Sequence, residues 1–146
     1  MKSYWQLDRY NQVAVKTADQ KELILICYDE AIRSLHQGKE CYLKNQFEEK
    51  ARLFIRAQDF ITELMVSLNL EAGGQIARNL KSIYQYIINS ISRADLKKNF
   101  KLLDRLIAML SELRSAWAEI VFQPSAGVMP SQSYGQVAMA SRGFAV

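Results

Sequence analysis

The sequence predicts an all-α protein, folded as an antiparallel up-and-down four-helix bundle. Only two prolines and six glycines interrupt 146 residues, whereas a sheet of this size would need frequent turns. Apolar side chains recur three and four residues apart over several long stretches, which places them on one face of a helix. The breaks between those stretches are short, and short connections make neighbouring helices antiparallel.

The segment before the first helix, residues 1–16, is rich in large apolar side chains without a clear period: Tyr4, Trp5, Leu7, Tyr10, Val13 and Val15. Thr17, with Gln20 three residues on, reads as a capping box opening the first helix. Leu23, Ile24, Cys27, Ala31 and Leu35 follow at helical spacing, and Gly38 is its expected stop. A second helix is expected after Asn45, with Glu48 at the third position. One of its stripes holds Phe47, Ala51, Phe54, Gln58, Ile61, Met65 and Leu68, and the stripe beside it Leu53, Ala57, Phe60 and Leu64. A helix apolar over so much of its circumference is central or presents a face to a partner.

Gly73 and Gly74 separate the second helix from a third, which carries Ile76, Leu80, Ile83, Tyr84, Ile87 and Ile91. A polar stretch, Arg93 to Asn99, precedes the fourth, whose Leu103, Leu106, Leu110, Leu113, Trp117 and Ile120 alternate by three and four as a bundle seam requires. Helices of about twenty residues are roughly 30 Å long at about 1.5 Å per residue. The chain suits a single domain over residues 1–121, with 1–16 as a cap segment. Ser, Gly, Pro and Ala dominate residues 122–146, where only Arg142 is charged, and this reads as a flexible tail.

Apolar residues make up 49% of the chain, enough for a packed interior, and the net charge is +4 with both signs interspersed. No run of five or six like charges signals a nucleic-acid or membrane patch, although an isoelectric point near 9.1 motivates a nucleic-acid-binding bundle as one competing reading. A mild positive excess favours an acidic partner. The start has no long apolar core of a signal peptide, and no apolar run reaches membrane-spanning length. Cys27 and Cys41 form no redox or metal spacing. The expected location is the reducing cytoplasm.

Nothing in the pattern assembles a catalytic or metal site. His36 is the sole histidine, so neither paired Glu-x-x-His motifs nor a His-rich zinc site exists; it reads as a surface residue at the negative end of the first helix. Cys41 lies five residues from it, a poor geometry for a nucleophile and its base. Gly73-Gly74 lacks the Gly-Lys-Ser/Thr of a phosphate loop. Asp29 with Arg33, and Glu48 with Arg52, read as exposed pairs worth about 0.2–0.5 kcal/mol each. Asp8, Asp19 and Asp104 have no neighbours that suggest paired carboxylates.

Four segments in order resemble the FliS family of flagellin-specific secretion chaperones. GGQIARNLKSIYQYI, Gly73 to Ile87, is similar to the family's Gly-Gly-x-Ile-Ala-x-Asn-Leu and Tyr-x-Tyr elements, and LRSAWAEI, Leu113 to Ile120, to its closing Leu-Arg-x-Ala-Trp. YNQV at Tyr10 to Val13 and ELILICYDEAI at Glu22 to Ile32 match in spacing. The resemblance spans Leu7 to Ile120. Gln85 stands where an aspartate is usual, Cys27 where a large aliphatic residue is usual, and Asp95 where an asparagine is usual. The tail after Phe122 has no counterpart.

The resemblance implies a non-enzymatic cytoplasmic chaperone without cofactor. It would bind the disordered C-terminal segment of flagellin, block premature polymerisation and hold the subunit for the flagellar type III export apparatus. It further implies binding residues at Leu7, Tyr10 and Val13 in the N-terminal segment and at Ile76, Leu80 and Tyr84 on the third helix. The N-terminal three either cover an apolar groove and move when the partner arrives, or form a permanently packed arm. Tyr84 shares the stripe of Leu80 and Ile87, and Trp117 sits on the seam, so both are expected in the core; Tyr86 projects elsewhere. A helical adaptor for another secretion or regulatory partner has every one of the physical features above, and only the resemblance separates it.

Overall fold

The computed structural model describes residues 19–121. The expected cap segment with Leu7, Tyr10 and Val13, the Thr17 cap and the tail lie outside the described residues. Within them the chain forms four helices and no strand: α1 (Gln20–Leu43), α2 (Phe47–Val66), α3 (Leu70–Lys97) and α4 (Phe100–Val121). Each packs against two others, α1 on α2 and α4, α3 on α2 and α4, so the helices close a ring with α1 and α3 on one diagonal. Side-chain links confirm the directions. Lys39 meets Asp104 and Asp29 meets Arg114, an antiparallel pairing of α1 with α4; Lys50 meets Asp95 and Gln58 meets Ser92, the same for α2 and α3.

The helix ends show why the chain turns where it does. Asp19 caps α1, its Oδ1 accepting from the Glu22 backbone N–H at 2.9 Å. Gln20, expected as the third residue of a cap at Thr17, is instead the first residue of the helix. Gly38 does not end α1. It is buried in mid-helix, where an added Cβ would lie 2.5 Å from Phe54 Cε1; the missing side chain lets α1 approach α2. The helix runs on to Leu43 and closes through Asn45, held at φ 61°, with the Gln46 N–H bonded to the Cys41 carbonyl at 2.8 Å. Asparagine tolerates this left-handed conformation better than most residues. Asn45 thus terminates α1 and does not start α2, whose N-cap Gln46 makes no side-chain cap bond.

Asn69 caps α3 by accepting from Ala72 N–H at 3.0 Å. Of the two adjacent glycines, Gly74 supplies the break: its φ of 57° and ψ of −136° kink the helix one turn after it starts, a conformation open in practice to glycine. At the other end Lys98 takes the left-handed conformation, and Asn99 N–H bonds to the Ala94 carbonyl. Asn99 then caps α4 through its side chain, which accepts from Leu102 N–H at 3.0 Å.

The core follows the apolar stripes. Leu25, Leu35, Phe60, Ile61, Leu64, Ile87, Ile91, Leu103, Leu106 and Leu110 are buried along the bundle axis. Gln58, the polar member of its stripe, donates to the Ile88 carbonyl and to Ser92 Oγ, both at 2.9 Å, and so joins α2 to α3. The ion pairs differ from those expected on single helices. Asp29 pairs with Arg114 through two bonds of 2.9 and 3.1 Å, Arg33 turns to the buried Glu30, which also accepts from Arg56 at 3.0 Å, and Arg52 pairs with Glu49. Spacing of four makes a pair possible, but a partner on a neighbouring helix or three residues away offers the shorter reach here. His36 is exposed in mid-helix, because α1 extends past it to Leu43; the helix-end argument for it falls with the expected stop at Gly38.

Replacing Gly38 by alanine isolates the packing constraint. The substitution gains about 1 kcal/mol in intrinsic helix propensity, yet it presses a methyl group into the Phe54 ring. The expected result is a net loss of about 1–3 kcal/mol, the usual cost of overpacking a filled core, read from the midpoint of urea unfolding.

Candidate functional site

At one end of the bundle the start of α1 faces the end of α2, and the core there is incompletely filled. Gln20, Leu23, Ile24, Cys27, Glu63, Leu64 and Ser67 line an open recess of about 210 Å³. Beside it, Ile24, Leu64, Ser67, Leu68, Tyr84 and Trp117 enclose a space of about 20 Å³, room for one water molecule. Val66 and Leu70, in and beside the α2–α3 connection at this end, are exposed.

Behind the recess lies a polar cluster within the apolar core. Tyr28 on α1 and Tyr84 on α3 are 0% and 1% exposed, and their hydroxyls meet at 2.5 Å across the bundle diagonal. Burial pushes both phenols well above their ordinary range, and for Tyr28 the neighbouring Tyr84 adds to the shift. Trp117 is buried beside them; its indole N–H favours the ionised phenols electrostatically but makes no hydrogen bond of ordinary geometry. Cys27 is likewise inert as a nucleophile: burial first, then the carboxylates of Glu63 and Glu30, push its thiol far above the usual range, the reverse of what a reactive cysteine needs.

The six residues singled out by resemblance fall into three groups. Leu7, Tyr10 and Val13 lie outside the described residues. Leu80 is buried in the core and Ile76 is partly buried against it. Tyr84, unlike Ile76 and Leu80, lines the small space, with its hydroxyl turned inward to Tyr28. Tyr86 is exposed and Trp117 is buried, as their positions on the helices imply. The recess itself is built from residues that the periodicity assigns to the core, such as Ile24, Cys27 and Leu64. Spacing reports which side of a helix faces inward, not whether the opposing side chains fill the gap. Glu63 and Ser67 carry no sequence signal at all.

No group of three or more His, Cys, Asp or Glu side chains that could hold a metal occurs among the described residues, and no helix among them is long and apolar enough to cross a membrane. The arrangement offers shape and apolar surface, with acidic and hydroxyl groups at the rim. The family model for flagellar protein FliS matches residues 2–124. The chain belongs to the FliS family. It is 31% identical over 118 residues to the flagellar secretion chaperone FliS of Vibrio cholerae, covering 78% of this chain and 87% of the relative. It is 32% identical over 117 residues to the flagellar secretion chaperone FliSB of Pseudomonas aeruginosa, covering 80% and 91%. Identity to the flagellar secretion chaperone FliS of Escherichia coli is 25% over 113 residues. The relatives' names, flagellar secretion chaperones, point to a non-enzymatic role.

The tyrosine pair makes a measurable prediction. Tyr84→Phe removes the partner of the buried Tyr28 hydroxyl, at a cost of about 1–3 kcal/mol; the double change with Tyr28→Phe recovers most of that loss, because two apolar rings replace both partners. Alkaline unfolding supplies the second axis. Unfolded tyrosines ionise near 10.0 while the folded pair resists, so stability is complete below that pH and falls as pH rises beyond it. Denaturant melts from pH 7 to 11 should show a smaller alkaline loss in the double variant, with the residue due to Cys27, whose unfolded thiol ionises near 9.0.

Proposed function

We propose that this FliS protein is a cytoplasmic export chaperone that binds the disordered C-terminal segment of flagellin. Binding keeps the subunit from polymerising and competent for the flagellar type III export apparatus. The observation that carries the reading is the family match over nearly the whole chain, supported by relatives named flagellar secretion chaperones. The open recess with its floor of Ile24, Cys27 and Leu64, and the exposed Val66 and Leu70, give the bundle surface to offer an unfolded partner. Leu7, Tyr10 and Val13, with Ile76, Leu80 and Tyr84, are the residues this reading assigns to binding. For the deeply buried Leu80 and Tyr84 the contribution is to shape the wall beneath the contact.

The physics is coupled folding and binding. A disordered segment that orders on a helical bundle buries on the order of 1,000–3,000 Å², and ordering it costs roughly 2–5 kcal/mol. The net affinity is therefore moderate, which permits release at the export gate without nucleotide hydrolysis.

Calorimetric titration of the full chain with a peptide spanning the flagellin C-terminal segment tests this. One-to-one binding with a large negative heat-capacity change is expected, weakened at least about tenfold, or about 1.4 kcal/mol, by Tyr10→Ala. Absence of heat at several temperatures, with the bundle folded by circular dichroism, would transfer the protein to the adaptor reading with a different partner.

A further inference from the structure

The recess at the α1–α2 end has a composition more specific than general apolar stickiness. Its floor is Ile24, Cys27 and Leu64, and its rim carries Glu63 and Ser67. The volume of about 210 Å³ exceeds the roughly 150 Å³ in which an apolar cavity accepts benzene, so one ring or one long aliphatic side chain fits. Cys27 and Ser67, both short side chains, are among the residues lining the recess. The floor is apolar, while Gln20, Glu63 and Ser67 put polar groups around the opening.

Glu63 supplies the second observation. It is half-buried at the rim, and it has no ion-pair partner among the described residues. The other carboxylates that link helices, Asp29, Glu30, Asp95 and Asp104, are each matched by an arginine or lysine from a neighbouring helix. A carboxylate without an ion-pair partner among the described residues, beside a socket with an apolar floor, is complementary to a cation placed next to an apolar anchor.

We infer that the recess is a specificity pocket for the bound segment: it seats one aromatic or long aliphatic side chain, while Glu63 pairs with a lysine or arginine adjacent to that anchor in the partner. This rests on the flagellin-binding reading and adds to it the point that sets selectivity. Burial of one anchor in a desolvated socket concentrates binding energy at a single contact, and the rim carboxylate rejects segments with an acidic residue at that place.

The test uses the full chain and the flagellin C-terminal peptide. Cys27→Leu fills the socket from the floor, and Ser67→Leu fills it from the solvent side without touching the core. Both are expected to weaken binding tenfold or more, by about the amount one buried anchor contributes, while Cys27→Ala stays within about twofold to threefold of the unchanged protein. Glu63→Gln is expected to weaken binding about threefold to fivefold at low salt, with the difference fading as the Debye length shortens to about 3 Å at 1 M salt. Thermal melts identify any variant that fails to fold, and Ser67→Leu then decides alone. Undiminished binding by a folded Ser67→Leu protein would overturn the pocket and leave the flagellin reading standing. Unchanged binding by Glu63→Gln at low salt would overturn the cationic neighbour. Failure of the unsubstituted chain to bind the peptide would remove both the flagellin reading and the pocket built on it.

Discussion

Two tyrosines from diagonal helices meet at the bundle axis, and their hydroxyl contact, 2.5 Å long, fixes how the four helices are spaced around it. A phenol is too long to sit within one helix–helix interface, and its hydroxyl is costly to bury alone. Tyr28 and Tyr84 answer both constraints by reaching across the ring to each other. A second link on the same diagonal lies nearer the other end, where Tyr42 donates to the Asp95 carbonyl at 2.8 Å. Because residues rise in number along α1 and α3 together in these two contacts, the diagonal helices are parallel, as an up-and-down ring demands. The apolar stripes then have a defined interior to fill.

The two ends of the bundle solve the packing problem differently. Around Tyr42, the rings of Phe47, Phe54 and Phe100 lie 5.2 to 6.4 Å away. Lys50 sits 4.7 Å above the Tyr42 ring while pairing with Asp95 at 2.6 Å. Large rings and a shared cation fill that end. At the opposite end the tyrosine pair and Trp117 are buried, and the short side chains Cys27 and Ser67 line the recess between α1 and α2. Among the described residues, aromatic rings consolidate one end of the bundle and the other end carries the recess.

The architecture was legible because it depends on periodicity. Leu103, Leu106 and Leu110 repeat at seam spacing and are buried; Ile87 and Ile91 do the same on α3. The expected breaks were legible only approximately: Gly74 kinks α3 one turn after its start at Leu70, and of the polar stretch Arg93 to Asn99 all but Lys98 and Asn99 is helix. Gly38 was misleading because glycine has two uses, ending a helix and allowing close approach, and only the position of Phe54 distinguishes them. Ion-pair partners were illegible for a related reason. Asp29 has Arg33 at helical spacing, but the choice of Arg114 depends on which helix lies alongside. The recess is the extreme case: its floor residues Ile24, Cys27 and Leu64 look like core, Glu63 and Ser67 carry no signal, and emptiness is a property of the set.

The central claim is that the bundle is held closed at its aromatic end and receives its partner at the recess end. Amide hydrogen exchange of the full chain, alone and with the flagellin C-terminal peptide, tests this with no substitution. The account predicts slowed exchange on binding at the start of α1, Gln20 to Cys27, and at the end of α2, Glu63 to Leu68, while the α1–α2 turn around Asn45 is unchanged. Protection confined to the aromatic end, around Phe47 and Lys98, with none at the recess would contradict it.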